Sequence, residues 1–386
     1  MATRLLIIGA AGIGNLLMFL PTLEELRRRF QGAEITMLVT PNGSERLFAD
    51  KSLVDRTEVI PFFKWLKPSH SNRQVHNVFG LTKTILTNRS RRYDISFWPC
   101  VIRTTSRMEW FSFLLGSRQR ILHAGCYPRL NTLVLMPPRT HLVKHNLNLL
   151  SPLGIQAALP PRLNLPLTEE EIWRGREFLR QNDAGFDRRY VGFQPGGNLR
   201  FDPFRQWHLR NYAALGDRLA RSHGVKIVLF GSHDEKPMLD AIVAGMDCKP
   251  MIVTEFDLRQ VAAVLYHMNS FVGNDSALMH LASAVGTCTL GILGPTDPLM
   301  TGPWGSNAHV IRMNLPCSPC YPTGFQKTCK HHACLTLLSV EDVFRAASGL
   351  LEGDRAALSG CFECENAMAS ELGLQSVYDM KQWLEA

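Results

Sequence analysis

Ser270-Phe-Val-Gly-Asn-Asp275-Ser276-Ala-Leu-Met-His280-Leu-Ala-Ser-Ala-Val-Gly286-Thr-Cys-Thr-Leu-Gly-Ile-Leu293 decides the fold. A short apolar run stops at Gly-Asn-Asp, with Asp275 near the start of a helix that carries His280 one turn in and ends before Gly286. A second apolar run, Cys288 to Leu293, follows. Strand, helix and strand in that order predict parallel strands joined by a crossover, hence a sheet with helices on both faces.

The same alternation extends upstream. A strand at Tyr190–Gln194 ends in Pro195-Gly196-Gly197-Asn198, and helices at Leu209–His223, Lys236–Ala244 and Leu258–Met268 alternate with strands at Lys226–Gly231 and Met251–Val253. The first half repeats it independently. A strand at Arg4–Gly9 leads through a Gly-rich turn into one helix from Asn15 to Phe30, with Leu16, Leu20, Leu23 and Leu26 at helical spacing. Strands at Glu34–Thr40 and Tyr93–Trp98 follow, and the Pro-rich stretch at 159–166 reads as an interdomain linker. The expected architecture is α/β, with two doubly wound Rossmann-like domains whose strand C-terminal ends face a cleft. The expected boundaries are 1–160, 161–345, and a tail at 346–386 that is helical and packs back.

The chain has 386 residues, enough for two cores, with 45% hydrophobic and 20% charged residues and no low-complexity tract. No apolar run approaches the roughly 18–20 residues that span a bilayer, and the apolar stretch at the start is too short for a signal peptide. A soluble, cytoplasmic protein is expected. Residues 1–150 carry 21 Lys and Arg against 9 Asp and Glu, whereas the remainder carries 21 against 25. A cationic first half is either a solvated basic surface or the side that meets an anionic partner. No nucleic-acid module is present, and nucleic acid is not expected as a partner.

Gly9-Ala-Ala-Gly12-Ile-Gly14 lies where a dinucleotide fingerprint would, but the second strand ends Val39-Thr40-Pro41-Asn42 without the acidic residue that would bind a ribose. A turn that brings Gly12, Gly14 and Asn15 close to a substrate is the better reading, with an NAD-dependent oxidoreductase as its rival. In the second half, Asn274, Asp275 and Ser276 end one strand, and Gly294, Pro295 and Thr296 follow the next. Together they would form a cradle for phosphates and sugar hydroxyls. Taken singly, Asp275 could be a helix cap and His280 a satisfied core histidine.

As a set these residues resemble glycosyltransferase family 9, the heptosyltransferases of the lipopolysaccharide inner core. Family members carry Gly-Asn-Asp-Thr/Ser-Gly-x-x-His-x-Ala-x-Ala-x-Gly, then a strand and Phe-Gly-Pro-Thr-Asp-Pro. This chain has Gly273-Asn274-Asp275-Ser276-Ala277, His280-Leu281-Ala282, Ala284 and Gly286, then Leu293-Gly294-Pro295-Thr296-Asp297-Pro298. Phe193-Gln-Pro-Gly-Gly197 and Arg205-Gln-Trp207 match the family's glycine loop and its Lys-x-Trp element. Gly12-Ile-Gly14-Asn15 through Pro21 matches its first turn, so the similarity spans residues 4 to about 340.

The resemblance implies a GT-B fold and inverting, metal-independent transfer from a nucleoside-diphosphate sugar, ADP-heptose being the favoured donor. It implies donor contacts at Gly196, Gly197, Asn198, Asn274, Asp275, Ser276, Ala277, His280, Gly294, Pro295 and Thr296, and acceptor contacts at Gly12, Gly14 and Asn15. Arg205 and Asp275, with Asn15, would form the catalytic set. The acceptor would be an anionic glycan or glycolipid such as lipopolysaccharide core, with peripheral contact at the inner membrane. Three departures matter: the family's general-base Asp is Asn15, its Lys is Arg205, and its Gly after Asp-Thr/Ser is Ala277. An amide cannot accept a proton at neutral pH, so a degenerate sugar-nucleotide-binding protein is a further rival.

Six of the ten cysteines cluster late in the chain. Cys317, Cys320, Cys329 and Cys334 have the spacing of a structural zinc or iron site, or are reduced structural thiols. Catalysis itself is expected to need no cofactor.

Overall fold

The computed structural model describes residues 2–60, 78–99, 105–123, 127–135, 139–157, 161–183, 188–197, 203–354, 358 and 361. The chain divides into two compact units, Met1–Pro166 with Asp257–Arg259, and Leu167–Phe256 with Gln260–Ala386.

In the first unit, β1 (Arg4–Gly9), β2 (Glu34–Val39), β3 (Arg56–Val59), β4 (Ile95–Trp98), β5 (Gln119–His123) and β6 (Thr132–Val134) form a parallel sheet in the order β3-β2-β1-β4-β5-β6. In the second, β7 (Tyr190–Gln194), β8 (Lys226–Phe230), β9 (Met251–Val253), β10 (Ser270–Asn274), β11 (Thr289–Ile292) and β12 (Ala308–Ile311) form another, ordered β12-β11-β10-β7-β8-β9. The two orders are the same winding. In each unit the first strand lies beside the fourth and the connections reverse direction between them. A crevice opens beyond the strand ends at such a point, which is where ligands bind in open α/β sheets.

The strands are buried on both faces. Leu5 through Ile8 and Val228 through Phe230 are essentially inaccessible, as parallel strands covered by helices require. The first core gathers Leu6, Ile8, Leu38, Trp98 and Phe111, and the second gathers Val191, Phe193, Trp207, Tyr212, Leu229 and Val272.

The single helix expected over Asn15–Phe30 is two, Ile13–Leu17 and Leu20–Arg29, joined through Met18 and Phe19. Pro21 explains the break. It has no N–H to offer the carbonyl of Leu17, and its fixed φ suits the first turn of a new helix. The helix Leu209–His223 buries Tyr212, Leu215 and Leu219 and stops at Gly224, whose φ of 63° is left-handed. Against it packs the helix Val340–Glu352, which starts at the Ser339 cap and runs across the boundary expected at residue 345. The tail beyond residue 361 lies outside the described residues. None of the described helices is long and apolar enough to cross a membrane.

Candidate active site

The switch point of the second unit lies between β7 and β10, where Gly273 is in register with Gln194. That register puts Pro195-Gly196-Gly197 beside Asn274-Asp275-Ser276. Asn274 ties the two loops together. Its Nδ2 donates to the carbonyls of Pro195 (2.7 Å) and Gly196 (3.2 Å), and its Oδ1 accepts from Trp207 N and Tyr212 Oη, both at 3.0 Å. The side chain is buried and fully used in this way, so its work is to shape the site. Trp207 and Tyr212 are themselves buried beneath it, with ring centroids 5.1 Å apart.

Gly196 and Gly197 are glycines for two different reasons. A Cβ on Gly196 would fall 2.2 Å from Glu235 Oε1, and Gly197 adopts a φ of 128° that an L side chain avoids. The N–H of Gly197 donates to Glu235 Oε1 at 2.9 Å, while Glu235 Oε2 accepts from Ser232 N and Oγ. This loop amide, expected to cradle phosphate, is therefore held by a carboxylate that sequence reasoning did not single out. Asn198 lies outside the described residues.

Arg205 closes a turn at Pro203–Arg205, and its Nη1 donates to Asp275 Oδ2 at 2.9 Å, across 70 residues of chain. Asp275 is buried and Arg205 about three-quarters so. Such a pair keeps its charges only with good geometry on both sides. The guanidinium carbon also lies 4.2 Å from the centre of the Tyr321 ring. His280 sits behind the pair. Burial pushes its pKa down to about 4, the Arg205 charge adds to that, and the Asp275 carboxylate opposes it, so the ring is neutral at physiological pH. Its Nδ1 makes no hydrogen bond among the described residues, and neither does Oγ1 of the buried Thr296.

Ser276, rather than Asp275, is the cap of the helix Ala277–Ala284. Its hydroxyl donates to Gln194 Oε1 and caps no helix amide, so the first N–H groups of this helix, Ala277 included, lack a side-chain cap. The helix after Thr296 differs. It is a single turn, Pro298–Thr301, capped by Asp297, which accepts from Leu299 N, so a carboxylate already occupies that end. The positive end of that short helix is correspondingly weak as an anion site.

Gly294 and Pro295 are fastened by the cysteine-bearing segment. Ser318 Oγ donates to Gly294 O at 2.6 Å, and the N–H groups of Cys320 and Tyr321 donate to Pro295 O at 2.9 and 2.8 Å. A Cβ on Gly294 would lie 2.6 Å from Leu335 Cγ and 3.0 Å from Cys334 Sγ. The thiols of this segment are free. Burial raises the pKa of Cys334 to about 11, and the neighbouring thiols Cys320, Cys329 and Cys317 push it the same way. Among the described residues no three Cys, His, Asp or Glu side chains are gathered closely enough to hold a metal ion. The four-thiolate metal site read from the spacing therefore finds no support here, although the four thiols lie near enough to add to the effect of burial in raising the pKa of Cys320 and Cys334. Cys334 is packed into the core against Gly294, whereas Cys317 is exposed.

In the first unit, Gly12 caps the helix Ile13–Leu17 with an extended φ of −70° and makes no demand for glycine. Gly14 and Asn15 are half-buried in its first turn. Asp94 precedes β4, where it accepts from Arg4 N and pairs with Arg118 at the N-terminal ends of the strands, the end away from this turn.

The family model described as Glycosyltransferase family 9 (heptosyltransferase) matches residues 116–331. Among characterised relatives, lipopolysaccharide heptosyltransferase 3 of Escherichia coli (strain K12) is 26% identical over 361 residues, covering 88% of this chain and 96% of the relative. A solved family 9 glycosyltransferase from Veillonella parvula superposes with a TM-score of 0.76 at 22% identity, covering 92% of this chain and 98% of that one. The E. coli ADP-heptose lps heptosyltransferase II gives 0.70 at 20% identity, covering 92% and 100%. The shared fold is the two-domain GT-B arrangement.

Proposed function

The chain belongs to glycosyltransferase family 9, and from that premise we propose that it moves a heptose from ADP-heptose to a hydroxyl of a lipopolysaccharide-core acceptor. The observation that carries this reading is the Arg205–Asp275 pair at the switch point of the second sheet. The donor's diphosphate sits at the end of the helix Ala277–Ala284, with the Arg205 guanidinium facing its oxygens. Thr296 and His280 complete the polar lining of the donor pocket. In the reaction the acceptor oxygen bonds to the anomeric carbon as the bond from that carbon to the phosphate oxygen breaks, in one displacement that inverts the centre. Negative charge then builds on the departing ADP. A guanidinium already oriented by Asp275 stabilises that charge without reorganising, the role a metal ion plays in other transferases. The acceptor meets the first unit at Gly12, Gly14 and Asn15. Asn15 orients the hydroxyl through its amide, and the proton leaves to a base other than residue 15.

Two observations support an anionic, lipid-linked acceptor reached at a membrane surface. The excess of Lys and Arg falls in the first 150 residues. In addition, the helices Val78–Ser90 and Ser106–Leu114 expose Phe79, Leu86, Trp110 and Leu114 beside Lys83 and Arg107.

The test is to incubate the purified chain with ADP-heptose and a truncated lipooligosaccharide. ADP release should match heptose gained by the acceptor, with an inverted linkage by NMR and no loss of rate in EDTA. ADP release without acceptor gain, or transfer only from other nucleotide sugars, would overturn the reading.

A further inference from the structure

Serine is among the best residues for the position before a helix, because its hydroxyl can accept a bond from an amide of the first turn. Ser276 holds that position for the helix Ala277–Ala284, with the extended backbone of a cap (φ −150°, ψ 171°), and does not make the bond. Its side chain is turned instead to the neighbouring strand, where the hydroxyl donates to Oε1 of Gln194, the last residue of β7. Gln194 is only 3% exposed, and its backbone is in register with Gly273, so the acceptor stands in a fixed place. Gly197 closes the same corner: a Cβ there would lie 3.4 Å from Ser276 Cβ and 3.9 Å from Gln194 Nε2. The cost of this arrangement is a lost cap, and its result is a helix end whose first amides stay open. One turn into the same helix, His280 keeps an unpartnered Nδ1 although only 4% exposed, close enough to Asp275 and Arg205 to feel both charges. Open amides and an unmet buried ring nitrogen on one helix describe a site that a ligand completes.

We propose that Gln194 is a positioning residue for the donor: by holding the Ser276 hydroxyl away from its own helix, it keeps the first-turn amides free for the diphosphate. The inference rests on the proposed seat of that diphosphate at the end of the helix Ala277–Ala284. It predicts that losing the amide oxygen of residue 194 does harm only while residue 276 carries a hydroxyl.

ADP is the probe. Gln194→Met keeps the length of the side chain and removes the acceptor, so the Ser276 hydroxyl turns back and caps the helix. The Kd for ADP, measured by calorimetry, should rise about five-fold, the size of one serine cap that the phosphates must then displace. In a Ser276→Ala background, where there is no hydroxyl to redirect, Gln194→Met should change the Kd by less than about two-fold. Equal losses in the two backgrounds, or an unchanged Kd in Gln194→Met alone, would overturn the inference. A second measurement needs no nucleotide: amide hydrogen exchange at Leu278 or Met279, the positions a cap reaches, should slow about five-fold in Gln194→Met and return to the parent rate in the double variant. Equal exchange in all three proteins sinks the role of Gln194 even if ADP binds tightly. Absence of ADP binding by the parent protein would instead sink the proposed donor site, leaving the exchange result to decide whether Gln194 diverts Ser276.

Discussion

The two sheets share one winding order, yet their switch points are furnished differently. Beyond β7 and β10, Asn274, Glu235, Gln194, Ser276 and the Arg205–Asp275 pair are bonded to one another or to loop backbone, and a strap from residues 317–334 covers one side. Beyond β1, the described turn is Gly9-Ala-Ala-Gly12 leading into a five-residue helix with no side-chain cap. A site whose polar groups are locked before the ligand arrives suits a ligand of constant structure, such as a nucleotide. A plain turn on a cationic unit suits an acceptor recognised by charge and by one oriented hydroxyl. On the proposed reading, one backbone topology serves two binding tasks through its loops alone.

The sharpest way to break this contrast is Arg205→Gln, which removes the charge and spares the volume. Steady-state assays should show kcat reduced about 10²–10³-fold, the usual cost of losing one preorganised charge-stabilising group. A loss under about ten-fold would mean that the charge on the leaving group is met elsewhere. Asn274→Ala attacks the scaffold instead. It orphans Trp207 N and two loop carbonyls and leaves Tyr212 Oη only a 3.5 Å bond to Gln194 O, and urea denaturation should report about 3 kcal/mol of lost stability in the second unit. If the protein keeps its stability, the amide is not the tie between the loops.

Acid should affect both units, because each hides a neutral histidine. His123 and His280 have pKa values of about 4, the first lowered by burial and by His145, the second by burial and by Arg205. Between about 4 and the ordinary value of 6.5, the unfolded chain binds more protons than the folded one. This contribution to stability is therefore fully present above about 6.5 and is lost as pH falls through that range, up to about 3 kcal/mol per histidine. Denaturation midpoints measured from pH 7.5 to 4.5 should fall, and His280→Gln should flatten the fall in the second unit only. Gly294→Ala should cost about 2 kcal/mol by driving a methyl into Leu335 and Cys334, visible as a lower melting temperature. The smallest effect is reserved for the first unit. Asn15→Asp should raise kcat about ten-fold and add an acidic limb to the pH–rate profile. An unchanged profile would show that residue 15 does not face the reacting hydroxyl.

How much of this was legible in the chain depends on the distance over which the information acts. The strand–turn–helix around Asp275 was readable because spacing, caps and apolar runs are local. Asp275, His280 and Arg205 were singled out by their motif, and the structure places them together. Asn274 was read as a donor contact, and the bonds of its side chain to Trp207, Tyr212 and the Pro195 loop, partners 62 to 79 residues away, were not readable. Tyr321 went unnoticed for the same reason. Its significance is a ring contact with a residue more than 100 positions earlier, and its local surroundings, a cysteine-rich loop, suggested metal chemistry. The split at Pro21, by contrast, was available in the sequence. Leucines at helical spacing masked the missing N–H.

The bare α-carbon of Gly294 has a consequence for anyone recombining this enzyme with its relatives. Leu335 and Cys334 occupy the space a side chain would need there, and Ser318 and Cys320 hold the same loop from the other side. The cysteine-rich stretch is therefore no detachable insert. A chimera with a crossover anywhere between residues 294 and 335 would separate two halves of one fitted joint. Crossovers placed before β11, or within the exposed turn at Gly353, leave that joint whole and are the breakpoints to choose.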